Sequence, residues 1–181
     1  MILIVDMNST ENPFGFQEFV LPIISISENL EKCTVKHYLE LDEIDLKPFE
    51  KIILSGSALM NTSTLSQIER FNWIKDSNKP ILGICAGMQN IGLVFGGRLI
   101  KCREIGMSKI ETCEENILFS STFQVYSLHN YALVPSADFN VLAESASCIQ
   151  AIKHKNKDIY GVLFHPEVRN TKILQRFIQA C

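Results

Sequence analysis

The chain has no Cys-x-x-Cys pair among its six cysteines, Cys33, Cys85, Cys102, Cys113, Cys148 and Cys181, and no close pairing among His37, His129, His154 and His165. That spacing gives no support for a structural zinc, so no metal is expected. Dispersed cysteines in a chain of 181 residues read as free thiols, not as the framework of a short secreted fold. Long hydrophobic runs are also missing. Met1-Ile2-Leu3-Ile4-Val5 is apolar, but it has no basic leader and meets Asp6 too early for a signal peptide or membrane span. A soluble, cytoplasmic protein with no membrane partner is expected. The net charge of -3 is spread without a basic arm or stripe, which argues against a nucleic-acid partner. Internal repeats, low-complexity tracts and linkers are absent. A hydrophobic content of 46% supports one full core and leaves no room for a second domain of ordinary size, so one domain is expected over residues 1–181.

What the chain does have is a series of short Ile, Val and Leu runs separated by helical patterns. Such alternation is the signature of a parallel sheet covered on both faces, an α/β fold. Strands are expected at 1–6, 34–38, 51–54 and 80–84, with helices over 15–30, 64–77 and 86–95. After Gly96-Gly97 the texture changes. Segments 98–102, 108–112, 122–127, 141–145 and 149–154 suggest a smaller antiparallel part, and a strand over 159–164 and a last helix over 171–180 close the fold.

Two motifs carry chemistry. Gly83-Ile84-Cys85-Ala86-Gly87 follows a predicted strand and opens a predicted helix, the pattern of a nucleophile elbow with a thiol in place of a hydroxyl. Near the other end, Ile159-Tyr160-Gly161-Val162-Leu163-Phe164 delivers His165-Pro166-Glu167. In an open α/β sheet the active site lies at the carboxyl ends of the strands, where both motifs are predicted. Cys85, His165 and Glu167 are therefore a candidate catalytic triad. A cysteine attacks through its thiolate, which a helix N-terminus and a neighbouring imidazolium favour. His165 would shuttle protons, and Glu167 would fix its tautomer. The Ala86 N-H would donate to an oxyanion, and Gly56-Ser57-Ala58, after Ile52-Ile53-Leu54, is the candidate loop for a second donor. Such a set suits acyl transfer. The other five cysteines read as packing residues, His37 and His154 as solvated or packed, 153–157 as an exposed hairpin, and Gly96-Gly97 as a helix stop.

Ile53-Leu54-Ser55-Gly56, Leu82 to Gln89, and Gly161-Val162-Leu163-Phe164-His165-Pro166-Glu167-Val168 together resemble the class I, or triad, glutamine amidotransferases, over essentially the whole chain. The resemblance implies a flavodoxin-like class I glutamine amidotransferase fold, with a central mostly parallel sheet, flanking helices and a smaller antiparallel part. It implies that Cys85 forms a glutamyl thioester, that His165 protonates departing ammonia and then activates water, that Glu167 orients His165, and that Gln89 contacts glutamine. No cofactor is implied. Within the family the chain is most similar to separate glutaminase subunits of the GMP synthase type, through Gly96-Gly97, Arg103-Glu104-Ile105-Gly106 and Lys153-His154-Lys155.

Several positions depart from the family pattern. The usual Gly-Gly-Pro loop is Gly56-Ser57-Ala58, and the Leu and His around the elbow glycine are Ala86 and Met88. Only His129 remains of a Ser-His-Gly-Asp pattern around Ser127 to Tyr131, Leu163 replaces a glutamine, and Met7 to Phe16 lacks the Gly-Gln-Tyr pattern. His129 and Asn130 either hold the amino-acid end of glutamine through the backbone or are ordinary strand-end residues. The chain has no Gly-x-x-x-x-Gly-Lys-Ser/Thr loop and no Ser-Gly-Gly-x-Asp-Ser loop, so ATP use falls to a separate synthetase subunit that would receive the ammonia. Two alternatives stand beside this reading. One is a free-standing γ-glutamyl hydrolase or peptidase, and the other is a partner-regulating glutaminase-like subunit with an impaired site.

Overall fold

The computed structural model describes residues 1–43 and 45–181. Among them, nine strands form one sheet: β1 (Ile2–Asp6), β2 (Cys33–His37), β3 (Lys51–Leu54), β4 (Ile81–Ile84), β5 (Arg98–Thr112), β6 (Phe123–Val134), β7 (Phe139–Glu144), β8 (Ile149–His154) and β9 (Ile159–Val162), in the order β2-β1-β3-β4-β9-β8-β7-β5-β6. From β2 to β9 the neighbours run parallel, and from β9 to β6 they run antiparallel. The expected division of the sheet is found.

Period-2 alternation explains how the parallel half is covered. Ile2, Ile4, Ile53, Leu82 and Ile84 enter one core with Val20, Ile23, Leu174 and Phe177, while Leu3, Val5, Ile52, Leu54 and Ile81 enter the other with Phe71, Ile74, Met88 and Ile91. Helices α2 (Leu21–Ser27) and α5 (Lys172–Ala180) therefore lie on one face, and α3 (Trp73–Asp76) and α4 (Ala86–Val94) on the other. In α5 the buried residues Ile173, Leu174, Phe177 and Ile178 recur at helical spacing and make a single apolar stripe. Helix α4 is instead buried nearly all round, as the sheet and the β5–β6 arm enclose it. No described helix is long and apolar enough to cross a membrane.

Three expectations shift in the structure. The helix expected over 15–30 begins as α1 (Pro13–Gly15), passes through a π turn (Phe16–Val20) and continues as α2. Pro22 has no N-H to give residue 18, and the Leu21 N-H bonds back five residues to the Phe16 carbonyl, widening the turn. The helix expected over 64–77 is a 3-10 stretch (Leu65–Phe71) broken at Gln67 and followed by α3. Local side-chain bonds such as Ser66 Oγ to the Ser63 carbonyl compete with regular helix there. The two strands expected over 98–102 and 108–112 are one strand, β5, with a bulge between Lys101 and Glu104.

The elbow depends on close approach of α4 to the sheet. A Cβ at Gly87 would stand 2.5 Å from the Leu54 carbonyl oxygen and 2.8 Å from Leu54 Cβ, and the backbone of β3 cannot yield as a flexible side chain can. Gly87→Ala is expected to cost about 1–3 kcal/mol or more, lowering Tm by roughly 3–10 °C. An unchanged Tm in thermal unfolding would contradict this packing.

Candidate active site

Strands β3, β4 and β9 end side by side, with Leu54 in register with Gly83 and Ile84 with Val162. The residues that follow them are Ser55-Gly56-Ser57, Cys85 and Leu163-Phe164-His165. Cys85 takes φ 46° and ψ -99° at the position before the first turn of α4, a conformation that L-residues rarely adopt. That turn lifts the thiol off the end of β4 and leaves the Ala86 N-H among the unpaired donors of a helix start. The thiol donates to the Leu128 carbonyl at 3.6 Å.

His165 Nδ1 lies 2.7 Å from Glu167 Oε1, and both side chains are fully shielded from solvent. The His165 N-H donates to the Tyr126 carbonyl at 2.9 Å, which ties this loop to β6. Phe19, from the π turn, packs its ring 5.2 Å from the imidazole, and Tyr126 stands 6.5 Å away on another side. Gly56 completes the wall, since a Cβ there would approach His165 Cε1 to 2.6 Å. Burial works against charge on His165, but the Glu167 carboxylate, the nearby Cys85 sulfur and the hydrogen bond to Glu167 outweigh it and hold the imidazole well above its ordinary range. Nδ1 faces a carboxylate, so it carries a proton. Nε2 has no aligned hydrogen-bond partner and is left toward the thiol side of the site.

Ser57, Ala86, Gln89, His129 and Asn130 line the same cavity as Cys85, together with Leu128 and Tyr131. Its volume is about 30 Å³, enough for a water or two and not for an amino acid. Specific bonds narrow the cavity. Asn130 Nδ2 donates to the Leu59 carbonyl at 3.3 Å, and the Ala58 N-H, one of the expected oxyanion-loop donors, is taken by Asn8 Oδ1 at 3.3 Å. Gln89 is also committed, donating from Nε2 to the Tyr131 carbonyl at 2.8 Å. His129 lines the cavity, but its ring points elsewhere, with Nδ1 3.1 Å from the Cys102 carbonyl and Nε2 3.2 Å from Glu104 Oε2. Burial pushes the His129 imidazole down, against the pull of the Cys102 carbonyl and Glu104.

The sequence motifs thus come together, while the residues that shape their surroundings had no motif to mark them. Asn8, Phe19 and Leu128 act through a side-chain amide, a ring and a backbone carbonyl supplied by distant segments. His154 is packed between Phe95 and Phe139, and His37 bonds the Asn8 carbonyl at 2.8 Å, so both take the packing roles expected of them.

The family described as Glutamine amidotransferase class-I matches residues 23–181. A glutamine-hydrolyzing GMP synthase subunit from Thermoplasma acidophilum is 34% identical over 154 residues, covering 78% of this chain and 77% of its own. Its counterpart in Methanococcus aeolicus is 41% identical over 146 residues, covering 75% and 76%. A crystal structure of a GMP synthase subunit from Thermoplasma acidophilum superposes with a TM-score of 0.84 at 28% identity, over 98% of this chain and 91% of that one. A glutamine amidotransferase from Thermotoga maritima shares the fold at a TM-score of 0.72 and 18% identity, over 99% and 80%. With most of its length matched by the family and a triad-type arrangement at the strand ends, this chain belongs to the class-I glutamine amidotransferases.

Proposed function

We propose that the chain is the glutaminase subunit of a GMP-synthase-type enzyme, with Cys85, His165 and Glu167 as its catalytic triad. The observation that carries this reading is the buried His165–Glu167 pair beside a thiol on a strained elbow. His165 Nε2 takes the Cys85 thiol proton as the sulfur attacks the side-chain amide carbon of glutamine, and the oxyanion is held by the Ala86 N-H and a donor from the Gly56-Ser57 loop. His165 gives its Nε2 proton to the leaving nitrogen, ammonia departs and a glutamyl thioester remains. His165 then takes a proton from water, the hydroxide adds to the thioester, and glutamate leaves as the thiol is restored. Glu167 holds the imidazole in place throughout.

The ammonia goes to a separate ATP-using synthetase subunit. Tyr131, which lines the cavity, and Met60, 82% exposed and in contact with the cavity residue Asn130, are the apolar rim that such a partner would cover. A cavity of about 30 Å³ also favours control by the partner, because glutamine enters only when the loop over 57–61 moves away from Asn8 and Asn130. A free-standing γ-glutamyl hydrolase is not favoured by relatives that are subunits of a glutamine-hydrolysing synthase.

The test is ammonia and glutamate release from glutamine by the purified chain, alone and with a candidate synthetase subunit, its nucleotide and ATP. Glutamate release, read at subsaturating glutamine where a gain in affinity shows directly, is expected to rise roughly 5- to 150-fold with the partner, the usual range of coupling between sites. Partner-independent cleavage of γ-glutamyl peptides faster than of glutamine would overturn the proposal.

A further inference from the structure

The expectation of no metal came from spacing along the chain, and positions 104, 129 and 148 have no local ligand signature. The fold brings them together. The bulge in β5 shifts its register so that Glu104 stands opposite His129 of β6, and the turn from β7 to β8 places Cys148 beside them. One potential ligand atom from each lies within 4.8 Å of the other two.

The hydrogen bonds leave this cluster incomplete. His129 has a side chain that is 1% exposed, and its Nδ1 faces the Cys102 carbonyl at 3.1 Å. A carbonyl oxygen only accepts, so Nδ1 bears the proton and the neutral ring presents a lone pair at Nε2. That lone pair faces Glu104 Oε2 at 3.2 Å without an aligned hydrogen bond. A buried, unpartnered lone pair in contact with a part-exposed carboxylate oxygen is an arrangement that a cation between them would satisfy. Cys148 Sγ is 3.5 Å from the same carboxylate oxygen, and the Gln150 amide donates to it, a second contact that fixes the carboxylate's orientation.

Two of the three edges match a zinc-type tetrahedron. Tetrahedral zinc, with bonds near 2.0–2.1 Å to nitrogen, 2.0–2.2 Å to oxygen and 2.3 Å to sulfur, sets ligand atoms about 3.4 Å apart for the nitrogen–oxygen edge and about 3.6 Å for the sulfur–oxygen edge. The corresponding distances here are 3.2 and 3.5 Å. We propose that Glu104, His129 and Cys148 bind a divalent ion of the zinc class, with water in the fourth position and the Cys148 proton released to solvent on binding. The ion would clip β5 and β6 to the β7–β8 turn. His129 sits between Leu128, which accepts the Cys85 thiol, and Asn130, which holds the loop over the cavity, so the clip braces the strand beneath the active site. This goes beyond the glutaminase reading and does not depend on it.

The test uses cobalt(II) as the probe, added to chelator-treated, reduced protein. Uptake of about one equivalent is expected, with the absorption of a thiolate-to-cobalt charge transfer and intense tetrahedral d–d bands. These signals should persist in Cys85→Ala, which removes the buried thiol near the His165 imidazole, and disappear in Cys148→Ser. Zinc should displace the cobalt and raise Tm by roughly 5 °C at saturation. Glu104→Gln, which keeps the shape of the side chain, should weaken cobalt binding at least about tenfold even if Cys148→Ser folds poorly. No cobalt uptake, bands that survive Cys148→Ser, or bands lost in Cys85→Ala would overturn the proposal.

Discussion

Replacing Cys85 by alanine is expected to lower kcat for glutamine hydrolysis by at least about 10⁴-fold, the scale seen when the nucleophile of a triad is removed, while leaving Tm nearly unchanged. The two halves of this prediction have separate physical grounds. Activity falls because no other described cysteine lies in the cavity, and the His165–Glu167 pair has nothing else to activate at the end of β4. Stability is retained because alanine keeps the Cβ, and so the same backbone strain at φ 46° that cysteine already bears. The thiol's single hydrogen bond, 3.6 Å to the Leu128 carbonyl, is a small loss. Coupled assays of ammonia and glutamate, run beside thermal unfolding, check both halves. A folded Cys85→Ala protein with substantial cysteine-independent turnover would exclude a thioester mechanism. Labelling by a glutamine-like electrophile should likewise disappear with the thiol.

Glu167→Gln should reduce kcat/KM by about 10²–10⁴-fold and move the alkaline limb of its pH profile to lower pH. The carboxylate is the chief group that opposes the burial of charge on His165. Without it, burial lowers the imidazole and the protonated form is lost at a lower pH. A glutamine amide would also donate as readily as accept, so it no longer selects the tautomer with the proton on Nδ1. The sign for stability follows from the same shift. A histidine held above its unfolded value contributes stability that is fully present below about pH 6.5 and is lost as pH rises through its raised folded value. In Glu167→Gln this alkaline decline should flatten. The profile is obtained from initial rates across pH, with unfolding followed under the same conditions. An unshifted alkaline limb would mean that Glu167 does not govern His165. His165→Ala, which removes the base itself, should resemble Cys85→Ala in rate.

Much of this architecture was legible because its determinants are local. Short runs of Ile, Leu and Val mark β1, β3 and β4, and an apolar run with His-Pro-Glu after it marks β9 and its loop. Glycines flanking Cys85 mark the sharp turn from strand to helix, since such close approach excludes side chains. The less regular segments were harder to read. Pro22 sits inside a helical pattern, and its missing N-H leaves the preceding turn a π turn. The long arm of β5 and β6 resembles two short strands, because Gly106 and the bulge at 102–103 interrupt the apolar alternation while pairing continues across them.

The sequence by itself determined the parallel core and the residues proposed as the triad, because short apolar runs, the elbow glycines and His-Pro-Glu are patterns within a few residues of one another. Only the tertiary structure decided how open the site is and what surrounds it. Asn8, Asn130 and the loop between them narrow the cavity from positions far apart in the chain. Glu104, His129 and Cys148 converge only because a bulge resets one strand's register against the next. Contacts of that kind depend on distances across the sheet, which spacing along the chain does not encode.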